Sequence, residues 1–363
     1  MVKLKAAIMS LGSKSSEWTA EAMKKYFDQV DALDIRKIDI KISGSEEEII
    51  YDGKPLADYD CIYAKGSFRF APLLKTLTTV LEGKCYMPLS ANSFTVAHDK
   101  LLTHLELQKH KIPMPKTFVS STVPAAKKVL EHTSFPIIMK FPQGTGGKGV
   151  MFADSFASAS SLLDALEALN QPFLIQEYIE TGGKDLRLIV VGDKVIGSMM
   201  RHAAEGEARA NFHSGGRGEK ASPDSMTKKI AVQVAKAIQA EICAVDILPG
   251  SKGPLVMEAN ISPGLQLITE TTKIDIPDII AKHLYENTLA RKQKKQANDS
   301  GNIMSEINKG AGGEKSMITN LSFRGGNMIV PEMITSATDF KPNDTFEIKT
   351  EKEKITISKM KIS

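Results

Sequence analysis

The chain has 363 residues, 42% of them hydrophobic and 25% charged, with 47 Lys and Arg against 43 Asp and Glu for a formal net charge of +4. That length and apolar content provide for two or three folding units with cores of their own, and the near-balanced charge excludes bulk attraction to nucleic acid or a membrane surface. Three cysteines, Cys61, Cys85 and Cys243, stand far apart in unrelated contexts, which argues against a disulfide framework or a thiolate metal site and for a reducing cytoplasm.

In chain order, the opening MVKLKAAIMSLGS reads as a first strand rather than a signal peptide, because its apolar run is short and leads into a turn. From residue 3 to about 90, strand-like and helix-like pieces alternate: KAAIMSLG, a helical EWTAEAMKKYFDQV, the strand DIRKIDI, then DCIYAKG before a helical APLLKTLTTVLEG. Such alternation predicts a small open α/β domain. The helix HDKLLTHLELQKH follows, capped from Asn92 or Ser93, with Leu101, Leu102 and Leu105 as its apolar face and Pro113 and Pro115 beyond its end. Next come the strand TFVSS, a helical AAKKVLEHT, the apolar strand PIIMKF, a glycine loop, the extended GVMFADS, a helical SLLDALEALN and the strand PFLIQEYI. DLRLIVVGDKVIGSMMR predicts a hairpin about a Gly-Asp turn. An amphipathic helix, SMTKKIAVQVAKAIQAEI, feeds the strands CAVDILP and PLVMEAN, and DIPDIIAKHLYENTLA closes the unit. Residues 288–315 are rich in charge, Asn and Gly without apolar periodicity and read as a linker. Residues 316–363 change to short β-rich runs between turns. The boundaries are therefore 1–96, 97–178, 179–287, 288–315 and 316–363, and no apolar run reaches the ~18 residues a membrane span needs.

Three constellations carry chemistry. The first is MKFPQGTGGKGV, which fails the Walker A pattern because Gly149 follows Lys148 and Pro142 stands where the first glycine belongs. Its backbone N–H groups can still approach phosphate oxygens, Lys148 adds charge, and Lys140 ends the preceding apolar strand within reach of a nucleotide phosphate. The bland alternative is a surface hairpin turn. The second is Asp246, Glu258 and Asn260, on two apolar strands joined by a Pro-Gly turn, where a period of two puts Glu258 and Asn260 on one face. Carboxylate and amide oxygens suit a hard cation such as Mg²⁺, and acids inside apolar strands would be costly without one. The third is the glycine-bearing segment from Arg201 to Arg217, with Arg209 and Asn211, whose guanidinium forks match phosphate or carboxylate; the alternative is a solvated loop, the better reading for Arg217 and His213. Asp185 and Arg187 in GKDLR either serve the site or pair with each other. The Cys residues lack histidine company, and His98, His104 and His110 share no helical face well, so no zinc site is expected.

HDK at 98–100, MKFPQGTGGKGV, QEYIE at 176–180, KDLRLIVVGDKVIGSMMR, EGEARANFHSGG and MEANISPGL occur in the order seen in ATP-grasp enzymes and most closely resemble the RimK-type α-L-glutamate ligases, over about residues 1–287. The resemblance implies a mixed α/β and α+β fold: an N-terminal α/β domain (1–96), a central lid (97–178) and a catalytic unit (179–287), with ATP gripped between the last two. It further implies that Lys100 and Lys140 contact ATP phosphates and that Gln176, Glu177, Tyr178 and Ile179 form a hinge beside adenine. The loop Gln143, Gly144, Thr145, Gly146, Gly147, Lys148 and Gly149 would close on the γ-phosphate, and Asp185 joins the ATP-binding set. Asp246, Glu258 and Asn260 would hold two Mg²⁺ ions, with Mn²⁺ as a substitute, and Arg201, Arg209 and Asn211 would face the transferred phosphate or the acceptor. The implied reaction is ATP-dependent amide formation through an acyl phosphate, adding an amino acid, L-glutamate by the family likeness, to an acceptor carboxylate on a protein C-terminus or a coenzyme.

The tail, SFRGGNMIVPEMITSATDFKPNDTFEIKTEKEKITISKM, resembles the AbrB/MazE swapped-hairpin domains, which dimerise and often bind DNA; this implies a homo-oligomer, a dimer or a tetramer. Residues 316–363 hold seven basic and six acidic residues, a thin footprint for DNA. Two alternatives stand beside the leading reading: a nucleotide-sensing regulator that binds DNA through the tail, and a ligase acting on an amino-group carrier protein in lysine or arginine biosynthesis.

Overall fold

The computed structural model describes residues 3–44, 46–144, 149–203 and 217–307 and parts of 322–360, in two units, Met1–Ala297 and Asn298–Ser363. The larger unit opens with β1 (Lys5–Ser10), α1 (Lys14–Met23), β2 (Gln29–Asp34), β3 (Ile38–Ser43), β4 (Glu46–Tyr51), β5 (Lys54–Pro55), β6 (Cys61–Ala64), α2 (Ala71–Leu81) and α3 (Ala91–Val96). Strands β2, β1 and β6 form a parallel sheet in that order, and β3, β4 and β5 form an antiparallel one. The strand expected at DIRKIDI is split between these sheets. Asp34 accepts a hydrogen bond from the Arg36 N–H and starts a single 3₁₀ turn, so Ile38 begins a new strand. The expected helix at 17–30 likewise stops at Met23, and Gln29 and Val30 already pair with β1.

The central layer holds α4 (Lys100–Lys109), β7 (Thr117–Val119), α5 (Val123–Leu130), β8 (Ile137–Lys140), β9 (Val150–Ala153), α6 (Phe156–Ala168) and β10 (Leu174–Glu177), with the antiparallel order β7-β10-β8-β9. Asp99 caps α4 by accepting from the Leu101 and Leu102 N–H groups, and Ser155 and Ser158 form a capping box on α6. The leucine face expected on α4 is corrected by the structure: Leu102 and Leu105 are exposed, whereas Thr103, His104 and Leu107 are buried. The buried face is polar because Thr103 donates to the Val96 carbonyl and His104 bonds the Lys100 carbonyl and lies against Gln176, while Leu107 joins the core.

The third layer comprises β11 (Lys184–Val191), β12 (Lys194–His202), β13 (Arg217–Lys220), α7 (Ser225–Ala237), β14 (Ile242–Gly250), β15 (Gly253–Asn260), α8 (Gln266–Thr272) and α9 (Ile276–Ile307), with the antiparallel order β13-β12-β11-β14-β15. The β11–β12 hairpin turns at Gly192, whose φ of 62° suits glycine. Strand β14 runs through Pro249 and Gly250, so the turn expected there falls one step later, at Ser251 and Lys252. Helix α9 continues through residues 288–307, where composition suggested a linker: Lys, Gln and Ala favour helix, and the stretch has no proline. Residues 308–315 lie outside the described residues. The last unit contains two hairpins, β16 (Ser322–Arg324) with β17 (Asn327–Ile329) and β18 (Phe346–Glu351) with β19 (Lys354–Lys359), matching the short β runs read there.

Two hydrophobic cores divide the larger unit. One is continuous from Leu4 to Leu284 and joins the N-terminal layers to the five-stranded sheet; the other, around Met139, Leu163 and Ile175, belongs to the four-stranded layer alone. The first is reinforced by polar ties: Glu241 accepts from the Tyr86 hydroxyl and bonds His283, and its N–H donates to Pro88. Because the cores are separate, Leu163→Ala should cost about 2–5 kcal/mol within the four-stranded layer. Hydrogen exchange should show β8 and β10 losing protection while β11 and β14 keep theirs; uniform loss across both sheets would refute the division.

Candidate active site

A cleft of about 1370 Å³ opens among the three layers and is lined by residues from each of them. Its floor is one face of the five-stranded sheet. Register places Asp185 opposite Arg201 and Arg187 opposite Asp246, with Asp246 opposite Glu258 and Ala244 opposite Asn260. Asp185 and Arg187 therefore do not pair with each other. Arg201 Nε and Nη2 donate to the two Asp185 oxygens at 2.6 and 2.9 Å, and Nη2 also reaches Asp246 Oδ2 at 2.8 Å. Arg187 Nε and Nη2 donate to Asp246 Oδ1 and Oδ2 at 2.7 and 2.6 Å. Burial and the Asp246 charge push the Asp185 carboxyl up; burial acts the same way on Asp246, but Arg187 and Arg201 override it and hold Asp246 down.

Glu258 and Asn260 complete this face. Among the described residues Glu258 has no hydrogen-bond or ion-pair partner, although it lines the cleft, and Asn260 Oδ1 accepts only the Ser262 N–H at 2.9 Å. Their donor chemistry fits a hard cation, with Glu258 fully available and Asp246 shared with its arginines. No three His, Cys, Asp or Glu side chains cluster as a metal site among the described residues, so the amide of Asn260, water and phosphate oxygens would have to complete the shell.

The facing wall belongs to the four-stranded layer. Lys140, buried at the end of β8, donates to Gln176 Oε1 on β10 at 2.6 Å. Gln176 Nε2 then donates to Thr117 Oγ1 at 2.9 Å and lies 3.3 Å from His104 Nε2. With His104 Nε2 accepting, Nδ1–H is the donor to the Lys100 carbonyl, 2.6 Å away, and burial lowers the His104 pKa, which favours the neutral ring. Lys100 Nζ in turn donates to the Gly144 carbonyl at 3.0 Å. A polar chain thus holds both lysines. His104 was missed from sequence because its partners come from β10 and from its own helix backbone, neither of which its spacing reveals.

Between β8 and β9 the loop is closed at its base by the Phe141 N–H to the Gly149 carbonyl, as expected for a flap flanked by strands. Gly149 has φ 78°, and a Cβ there would fall 2.2 Å from the Phe141 ring, so this glycine is sterically required. Gly144 and Gly149 line the cleft, Gln143 is exposed and does not, and Thr145, Gly146, Gly147 and Lys148 lie outside the described residues, as do Arg209 and Asn211. Glu177, Tyr178 and Ile179 line the cleft where β10 leaves for β11. There Glu177 accepts the Lys116 N–H at 2.8 Å, and Gly182 and Gly183, both at positive φ, turn the chain between sheets. Asp185 lines the cleft with its carboxylate committed to Arg201. Arg187, for which the sequence left open serving the site or pairing with Asp185, presents a second guanidinium to the cleft.

Residues 97–284 match the family of RimK-like ATP-grasp domains. The chain belongs to the RimK-like ATP-grasp family. A protein of Marinomonas sp. (strain MWYL1) named "Probable alpha-L-glutamate ligase" is 33% identical over 287 residues, covering 77% of this chain and 95% of the relative. Among solved structures, the ATP-grasp ligase PsnB, complexed with a phosphomimetic variant of its minimal precursor, Mg and ADP, aligns with TM-score 0.63 at 16% identity over 79% of this chain and 99% of that one. D-alanine–D-alanine ligase from Bacillus anthracis aligns with TM-score 0.56 at 15% identity over 81% and 100%. These neighbours share the ATP-grasp fold, and the family makes this protein an ATP-dependent ligase.

Burial lowers the Lys140 pKa to about 8 from 10.5, with the Lys100 charge adding to the drop and Glu258 opposing it. Between about 8 and 10.5 the unfolded chain binds the proton that the folded protein has released, so folding stability attributable to this group rises with pH. The nucleotide-free wild type should therefore gain stability relative to Lys140→Met between pH 8 and pH 10.5 in urea unfolding. A difference that stays constant with pH would show that Lys140 is not desolvated.

Proposed function

We propose that the protein is an ATP- and Mg²⁺-dependent carboxylate–amine ligase that adds L-glutamate to the carboxylate of an acidic peptide end. The observation that carries this reading is the opposition across one cleft of two anchored lysines, Lys100 and Lys140, and an acid left unpaired, Glu258. At about 1370 Å³ the cleft exceeds the ~300–1,000 Å³ of ordinary ligand pockets, enough for a nucleotide and a second substrate together. The relative's name supports glutamate, and the PsnB complexes with precursor support a peptide acceptor.

The acceptor carboxylate takes the γ-phosphoryl group of ATP, giving an acyl phosphate and ADP. The substrate amine, as free base, attacks the acyl carbon; the C–O bond to phosphate breaks, and amide, phosphate and the amine's proton are released. Lys100 and Lys140 would hold phosphate oxygens, and Arg187 with the unbonded Nη1 of Arg201 would face the charge that develops on the transferring group. Arg209 and Asn211 would face the transferred phosphate or the acceptor. Glu258, Asn260 and Asp246 would hold Mg²⁺, which supplies charge neutralisation for the polyphosphate. The adenine would lie by Gln176 to Ile179, with the loop from Gln143 to Gly149 over the γ-phosphate.

Glu258→Gln should reduce ADP release at least about a hundredfold, the scale of losing one transition-state electrostatic group, while circular dichroism and melting stay unchanged. The measurement is ADP release with amino acids screened against peptides ending in Glu, with mass spectrometry of the products. Near-normal turnover in the variant would refute the assignment, and no wild-type turnover with any pair would favour the nucleotide-sensing regulator.

For residues 316–363 we propose an AbrB/MazE-like dimerisation unit. Among its described residues no apolar side chain is buried, and Ile329, Ile348, Ile355 and Met360 are exposed, so each hairpin lacks the covered face that isolated hairpins need. A second copy of the unit would provide it. A chain ending at residue 315 should therefore drop to a lower oligomeric state in light scattering while retaining ADP release; an unchanged mass would sink the dimerisation role.

A further inference from the structure

One charged group in the cleft has no part in the network above. Lys65 follows β6 at the carboxyl end of the parallel sheet, where its N–H donates to the Met9 carbonyl at 2.9 Å and sets it beside Ser10, the last residue of β1. It is 3% exposed and lines the cleft, and its ammonium has no hydrogen bond or ion pair among the described residues. The Tyr63 ring, its centroid 5.5 Å from the ammonium, gives it a cation–π contact. Burial alone lowers its pKa, to about 8, with no acid nearby to oppose the shift. Burying an unpaired ammonium is destabilising, and such a group is retained where a ligand completes it.

The same edge of the sheet carries the amino end of α1. Gly12, at φ 74°, turns the chain from β1 into this helix of ten residues, and Ser13 caps it by accepting the Ser16 N–H. The N–H groups of Lys14 and Ser15 have no partner among the described residues, and Ser10, Ser13, Ser15 and Ser16 line the cleft. Ser10 Oγ accepts from Gly12, which leaves its hydroxyl proton to donate. A cation, free helix N–H groups and a hydroxyl, all lining the cleft at the carboxyl edge of parallel strands, supply donors for an anion. Its place is fixed against the sheet floor: Ser15 Oγ donates to Gln266 Oε1 and accepts the Leu265 N–H, both at 2.8 Å, just beyond β15 with its Glu258 and Asn260.

We infer that Lys65 and the amino end of α1 form the subsite for a substrate carboxylate that is recognised without being phosphorylated. This rests on the ligase reading, which requires carboxylate-bearing substrates. A single ammonium matches a carboxylate monoanion, whereas the polyphosphate already has Lys100, Lys140 and the flap on the other wall. Two carboxylates could occupy the subsite, one on the added amino acid and one on the acceptor, and they are separable by experiment.

Isothermal calorimetry with wild type, Lys65→Met and Lys65→Arg, in Mg²⁺ and a non-hydrolysable ATP analogue, would use L-glutamate and a peptide ending in Glu-Glu as probes. Lys65→Met should weaken one probe at least about tenfold, the scale of one charge-assisted hydrogen bond, with Lys65→Arg restoring part of the loss. Affinity for the ATP analogue should not change, which also certifies the fold. Without ligands, Lys65→Met should melt higher than wild type, because an unpaired buried charge has been removed. Loss of L-glutamate assigns the subsite to the added amino acid, and loss of the peptide assigns it to the acceptor. Unchanged binding of both probes, a parallel loss of the ATP analogue, or failure of the wild type to bind either probe would overturn the subsite. Steady-state ADP release separates the two readings: an active wild type with an indifferent Lys65→Met sinks the subsite alone, and an inactive wild type that still binds a probe through Lys65 sinks the ligase reading alone.

Discussion

The structure turns on four charges in the middle of a sheet, three of them buried and the fourth, Arg187, half-buried at the cleft. Asp185, Arg201, Asp246 and Arg187 sit on adjacent strands, and each carboxylate meets a guanidinium because the register puts it opposite one. A one-residue slip would send these side chains to the other face and leave charges in an apolar layer, so the network and the register fix one another. It sums to zero. That neutrality leaves the next acid along the floor, Glu258, facing the cleft with no hydrogen bond or ion pair among the described residues and only the field of Lys140 across from it, and a cation or a cationic ligand is the natural answer to it.

The opposite wall uses neutral groups to aim charged ones. Gln176 and His104 carry no charge, yet through them Lys140 and the backbone of Lys100 are tied into one hydrogen-bonded chain. Lysine is flexible and loses much rotamer freedom when it binds an anion, so holding it in advance reduces the cost of binding.

The legibility of the sequence followed from how local each signal was. The Gly-Asp hairpin, the strands flanking the glycine loop and the facing of Asp246 by Glu258 depend on periods of two and on turn chemistry, and they were read directly. The partners of Asp185 and Arg187 were not, since ion pairing across a sheet depends on strand order: β11 lies between β12 and β14, so each residue meets a neighbour strand instead of the other. The leucines of α4 misled because Thr103 and His104 find buried partners in the Val96 and Lys100 carbonyls and in Gln176, which turns their face inward and leaves Leu102 and Leu105 outside. Lys65 was passed over for a similar reason. In the sequence it is one lysine after an apolar strand, and only the packing of β1 and α1 around it shows that it stands alone.

The two cores of the larger unit, and the tie of Tyr86 and His283 to Glu241, have a mechanical consequence. The N-terminal layers and the five-stranded sheet share one continuous interior, so the wall with Lys65 and the floor with Glu258 move as a single block. The four-stranded layer has its own interior and is joined to that block by a turn containing Gly182 and Gly183. The grip is therefore built as two jaws: Glu258, the wall with Lys65 and α4, whose Leu107 sits in the shared interior, make up one, and Lys140 on its separate interior belongs to the other.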